Sequence, residues 1–148
     1  MVMKLCSACL LGLDCKYNGG NNLNKCPKSI LEDYKNGLII PVCPEQLGGL
    51  QTPRTPAEIQ GMSGEDVLDR KCKVLTKDGQ DISEQFIRGA HMTLQIAKDI
   101  GINEFIGVPK SPSCGCGLAY DGSFTSKMVK GDGVTIALLK RNGIGVIQ

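Results

Sequence analysis

A chain of 148 residues, 41% hydrophobic and 22% charged, is long enough to bury one sizeable core and has the composition of an ordinary globule. A net charge of +2 from scattered basic residues argues against a nucleic-acid footprint, and three Phe, three Tyr and no Trp argue against a stacking platform for single strands. No apolar run approaches the ~20 residues that cross a bilayer, so no membrane and no stable nucleic-acid partner are expected.

Nineteen Gly and seven Pro predict short elements joined by tight turns. The opening "MVMKLCSACLLGLDC" has no basic leader, and Lys4, Cys6 and Ser7 interrupt its apolar stretch. It reads as a buried strand over residues 2–8 rather than a signal peptide, which predicts a cytoplasmic protein. Residues 27–37, "PKSILEDYKNG", read as a helix with Pro27 in its first turn, Ile30, Leu31 and Tyr34 on one face and Gly37 as its stop. "LIIPV" at 38–42 is a short apolar strand. Residues 44–69 read as one long loop rich in Pro and Gly, and loops of that length are often functional. Residues 71–81 read as a strand and turn around Asp78-Gly79. Asp81 with Glu84 resembles a capping box for a helix reaching Ile100, with Phe86, Ile87, Ala90, Leu94, Ala97 and Ile100 as its apolar stripe and Gly101 as its stop. Residues 104–108 are the next strand. Residues 131–143 are a helix capped at Asp132, and "IGVIQ" at 144–148 closes the chain as a strand. Strands alternating with helices predict the α/β class: a single domain over 1–148 with a largely parallel sheet flanked by helices.

The eight cysteines divide by setting. In a reducing compartment they are expected as thiols or ligands, not disulfides. Cys9 follows the first strand, Cys43 follows "LIIPV", and Cys114 lies just beyond the strand at 104–108. Parallel strands would bring all three to the carboxyl edge of the sheet, where open α/β sheets place ligands. Cys6 and Cys72 fall within strands and read as buried thiols. Cys15 and Cys26 flank the loop "KYNGGNNLNK", and Cys116 is the rival of Cys114. A lone cysteine after a strand is usually a small buried residue; three in one setting bring the ligand reading level with that one. "CSAC" has zinc-like spacing, but "CGC" is no second C-x-x-C pair and the only histidine, His91, falls in a predicted helix. A redox role for "CSAC" fits poorly, because Cys6 and Cys9 point to different faces of a strand. Three thiolates suit an iron–sulfur cluster with one iron left to a substrate; four would suit electron transfer. The residues by themselves leave three and four ligands open.

The motifs "SACLLG" (7–12), "CKYNGG" (15–20), "PVCPEQLGGLQTPR" (41–54), "SPSCGCG" (111–117) and "YDGSF" (120–124) together resemble the thiouracil desulfidase family almost end to end. The resemblance implies a [4Fe-4S] cluster held by Cys9, Cys43 and Cys114, with one iron not bound by protein. That iron would capture the thiocarbonyl sulfur of a thiolated pyrimidine, a base or a nucleotide, and water would replace it, giving sulfide without net redox change. Glu45 and Ser111 match the family's acid–base and positioning residues. Arg54 is expected to bind a substrate carbonyl or phosphate, or else to pair with Glu58. Ser113 and Asp121 are expected as further substrate contacts. The chain departs from the motifs at Cys6 and Cys116, where the family pattern calls for no cysteine. Cys116 therefore keeps a second reading alive, a non-catalytic carrier of a cluster, zinc or sulfide.

Overall fold

Four short strands, β1 (Lys4–Ser7), β2 (Ile39–Val42), β5 (Glu104–Ile106) and β8 (Gly145–Ile147), form an all-parallel sheet in the order β2-β1-β5-β8. The structure, a computed structural model, describes residues 2–147; Gln148, the last residue of the expected closing strand, lies outside them. Parallel strands covered on both faces are apolar on both. Leu5 and Phe105 point into one core with Phe86, Leu94, Val134 and Leu139. Their neighbours Cys6 and Ile106 point into another with Ile39, Leu10, Leu11 and Val108. This period-two alternation places helix α1 (Lys28–Lys35) on one face, through Ile30, Leu31 and Tyr34, and α4 (Ser83–Ile100) and α5 (Val134–Arg141) on the other. No helix of the described residues is long and apolar enough to cross a membrane.

Helix α4 buries Phe86, Ala90, Leu94 and Ala97 as expected, but Ile100 is exposed. Gly101 takes a left-handed φ of 78° and the Ile102 N–H bonds back to the Ala97 carbonyl at 2.8 Å, so Ile102 fills the core where the stripe predicts Ile100.

The expected loop at 44–69 contains three elements: α2 (Pro44–Leu47), β3 (Ala57–Ile59) and α3 (Gly64–Leu68). Its glycines explain their seating. A Cβ at Gly48 would stand 1.9 Å from the Gln85 carbonyl oxygen, and one at Gly89 1.8 Å from that of Pro44, so α2 lies directly on the backbone of α4. β3 pairs antiparallel with β4 (Val74–Thr76), outside the main sheet. Cys72 precedes β4 rather than lying in it and is half-buried. A second antiparallel pair, β6 (Leu118–Tyr120) and β7 (Met128–Lys130), surrounds the predicted turn at 120–122.

Neither expected cap forms as predicted. The Asp81 carboxylate accepts the Ser83 N–H at 3.0 Å, but Glu84 pairs with Arg70 and forms no capping box. Asp132 accepts the Gly117 N–H at 2.8 Å and pairs with Lys140, while Gly133 precedes α5.

Candidate functional site

The three strand ends are built differently, and each construction delivers one thiol. β1 stops at Ser7 and winds directly into a 3-10 turn, Ala8–Leu11, closed by Gly12 at φ 96°. Cys9 sits in that turn. Its carbonyl accepts the Asn22 N–H at 2.8 Å, and the Asn22 side-chain amide donates to Cys9 Sγ at 3.4 Å. β2 stops at Val42, and Pro44 starts α2 immediately, leaving Cys43 as the N-cap. After β5 the chain makes a loop in which the Ser111 hydroxyl accepts the backbone N–H groups of Cys114 (3.0 Å) and Ser113 (3.3 Å). The first free N–H groups of α5 hold this loop from below: Val134 donates to the Pro112 carbonyl at 2.8 Å and Thr135 to that of Ser113 at 3.1 Å. A Cβ at Gly133 would stand 2.6 Å from the Ser113 carbonyl, so only glycine admits this approach.

Cys9, Cys43 and Cys114 all line one cavity of about 460 Å³ at the carboxyl edge of the sheet. A fourth thiol lines it too. Cys15 is buried and its thiol hydrogen-bonds both Cys43 and Cys9. Those bonds, against the opposing effect of burial, lower Cys9 and Cys43 to about 7; Asn22 assists at Cys9 and the Gln46 N–H at Cys43. The same bonds push Cys15 strongly up. Burial pushes Cys114 up, partly offset by the Ser7 and Ser113 hydroxyls. The sequence placed Cys15 only at the edge of a loop; its "CKYNGG" setting is the one signal that marked it.

The polar partners of the thiols form a connected chain. Ser113, 3% exposed, donates to Glu45 Oε2 at 2.8 Å and lies 3.6 Å from Cys114 Sγ. Glu45 Oε1 accepts from Arg54 Nε at 3.1 Å. Arg54 also donates to the Cys15 carbonyl at 2.9 Å and to Thr52 Oγ1 at 2.8 Å, so one guanidinium ties α2 and the Cys15 segment to its own loop. The alternative pairing of Arg54 with Glu58 does not form: Glu58 Oε1 accepts the N–H groups of Gly122 and Phe124. Ser111 lines the cavity with its hydroxyl 3.2 Å from that of Ser113. Asp121 does not line it; its carboxylate accepts the Ser123 N–H at 2.8 Å.

The other cysteines lie elsewhere. Cys6 is fully buried and pushed up to about 12 by burial, then by Cys26 and Cys9. Cys116 is not among the lining residues; its Sγ lies 3.2 Å from Lys140 Nζ.

The donor set fits an iron–sulfur cluster. Soft thiols from three strand ends stand around a shared space, and soft thiolates are the ligands that select iron–sulfur clusters. The Ser7 hydroxyl, 2% exposed beside Cys114, makes no hydrogen bond of good geometry with the described residues, leaving a buried donor for sulfur.

The chain and its fold are similar to those of known proteins. A solved structure described as a [4Fe-4S]-dependent thiouracil desulfidase, TudS, superposes with a TM-score of 0.89 at 36% identity, covering 99% of this chain and 90% of that one. An uncharacterized protein of Bacillus subtilis (strain 168), YbbK, is 44% identical over 146 residues, 99% of this chain and 95% of that one. The family model described as 2-thiouracil desulfurase matches residues 5–148, and the chain belongs to that family.

Proposed function

We propose that this protein replaces the thiocarbonyl sulfur of thiouracil bases or nucleotides by oxygen, so that C=S and water give C=O and hydrogen sulfide with no net redox change. The observation that supports this most is the meeting, in one cavity, of three thiols from three strand ends with the chain Ser113, Glu45, Arg54. Cys9, Cys43 and Cys114 would hold a [4Fe-4S] cluster, which when bound supplies a soft Lewis-acidic iron without a protein ligand, selective for sulfur over oxygen.

The remaining work falls to the chain's own side chains. Attacking water must lose a proton, and Glu45 is the carboxylate among the thiols. The permanent positive charge of Arg54 on Oε1 disfavours a proton there, so Oε2, which faces the neutral Ser113 hydroxyl, is the oxygen that takes the proton. The Ser113 hydroxyl, between Oε2 and Cys114, aims that oxygen and can pass a proton toward departing sulfide. Ser111 acts on the backbone, fixing the loop that presents Ser113 and Cys114. Arg54, bonded to Glu45, Thr52 and the Cys15 carbonyl, positions Glu45.

The test is anaerobic reconstitution with iron and sulfide, then incubation with a panel of thiouracil bases and nucleotides while thiocarbonyl absorbance is followed. Turnover by cluster-loaded protein is expected. A colourless protein that retains stoichiometric zinc, takes up no iron and leaves the panel unchanged would overturn the reading and favour a carrier.

A further inference from the structure

Among the described residues four other than glycine have a positive φ: Arg70 (60°), Lys110 (68°), Phe124 (58°) and Ser126 (64°). Lys110, Phe124 and Ser126 line the cavity. A bulky aromatic in the left-handed region is the costly case, retained only where its surroundings impose it. Here they do. Glu58, the middle residue of β3, reaches the 121–126 loop and accepts the N–H groups of Gly122 at 3.0 Å and Phe124 at 3.2 Å through one oxygen. Gly61 N–H donates to the Asp121 carbonyl at 2.7 Å, and a Cβ at Gly122 would stand 2.8 Å from the Ile59 carbonyl. The loop is therefore held against β3 and the residues just after it at Asp121, Gly122 and Phe124.

The distribution of aromatics points the same way. Of the chain's three Tyr and three Phe, Phe86 and Phe105 are fully buried in the main core and Tyr34 packs against the smaller one. The others, Tyr17, Tyr120 and Phe124, line the cavity. Phe124 is the phenylalanine that packing does not account for, and it sits on a strained backbone that a side chain within the same cavity holds in place.

We propose that Phe124 is the specificity-determining residue of this site, stacking on the flat face of the pyrimidine, and that Glu58 is the positioning residue that holds it there. This rests on the desulfidase reading of the cavity and adds the group that selects a planar ring over an acyclic thiocarbonyl. Flat rings stack on aromatic faces whatever their substituents, so the same wall serves bases and nucleotides alike.

The experiment uses cluster-loaded protein with two probes: uracil, a flat ring that cannot turn over, measured by equilibrium dialysis, and 2-thiouracil against thioacetamide, measured by steady-state kinetics. Phe124→Leu keeps an apolar side chain without a π face. Phe124→Gly removes ring and strain together, since glycine adopts this φ freely, so it is expected to melt no lower than the parent. Both variants should weaken uracil binding and raise KM for 2-thiouracil by roughly 5- to 100-fold, with a smaller change in kcat and no change in iron content. KM for thioacetamide should not move, and Phe124→Tyr should restore 2-thiouracil. Glu58→Ala should mimic the loss. Glu58→Gln, which keeps an acceptor oxygen, should stay within about threefold of the parent. If the Leu and Gly variants keep the parent's uracil affinity and KM within about twofold, the inference fails while desulfuration stands. A parent that binds uracil through Phe124 but desulfurates nothing overturns the desulfidase reading alone, and one that does neither overturns both.

Discussion

On the buried side of the cavity each catalytic candidate is bonded to another: Glu45 to Arg54 and Ser113, Ser113 to Ser111, Cys15 to Cys9 and Cys43. On the exposed side Lys110, Phe124 and Ser126 rest on left-handed backbone, and Glu58 holds Phe124 in place through the N–H groups of Gly122 and Phe124. Side-chain networks fix atoms relative to one another, which proton transfer and sulfur ligation both require. Strained backbone fixes a surface, which is what contact with a ligand's face requires. The two sides should therefore fail differently when altered: the buried one in cofactor retention and rate, the exposed one in affinity.

The largest effect expected is all-or-none. Serine at Cys9, Cys43 or Cys114 should abolish cluster retention, whereas serine at Cys72 or Cys116 should leave iron and sulfide content unchanged. Chemical assay of both elements after anaerobic reconstitution checks this, and a Cys114→Ser protein that retains a full cluster would transfer the ligand role to another thiol.

Next is Glu45→Gln, which keeps the shape and much of the hydrogen bonding but cannot exchange a proton. It should retain the cluster and lose ~10²–10⁴-fold in single-turnover rate, about 3–5 kcal/mol of barrier. A mutant within about threefold of the parent would remove Glu45 from proton transfer. Ser113→Ala should have a smaller effect on the same measurement. It removes one hydrogen bond to a carboxylate, and such bonds contribute about 1.5–3 kcal/mol. Loss of rate with unchanged iron content is the expected signature.

The smallest lies beneath the site. Gly89→Ala puts a methyl against the Pro44 carbonyl and must push α2 off α4, moving Cys43 and Glu45 with it. Overpacking of this kind costs ~1–3 kcal/mol of stability, to be read from the thermal midpoint of the cluster-free protein, together with faster iron loss from the loaded one. An unchanged midpoint would show that α2 is not seated on that contact.

Much of the fold was legible because parallel strands buried on both faces are continuous apolar runs: β1, β2, β5 and β8 all stand where such runs predict. Their carboxyl ends then bring Cys9, Cys43 and Cys114 to one cavity. What was not legible depends on contacts between loops, which carry no period. Cys15 meets its thiol partners across such a loop. Arg54 and Glu58, four residues apart, would meet on a helix, but residues 57–59 are a strand, and Arg54 finds Glu45 instead. Asp81 and Asp132 carry the composition of helix caps, yet tertiary neighbours decide the outcome: Arg70 takes Glu84 away from the box that Asp81 would share, and Gly117 and Lys140 take Asp132. The β6–β7 hairpin has strands of three residues without apolar alternation, so only its turn could be read.

The central claim is that thiols from three strand ends hold the group that takes sulfur from a flat thiocarbonyl, without electrons entering or leaving. Its most direct test is a single turnover of 2-thiouracil by anaerobically reconstituted protein with no electron donor present, measuring thiocarbonyl absorbance, uracil and sulfide in the same sample. The account predicts loss of absorbance with uracil and sulfide formed in equal amounts, and no reaction in protein from which iron has been removed. Turnover by the iron-free protein, or turnover by the loaded protein only when a reductant is added, would contradict it.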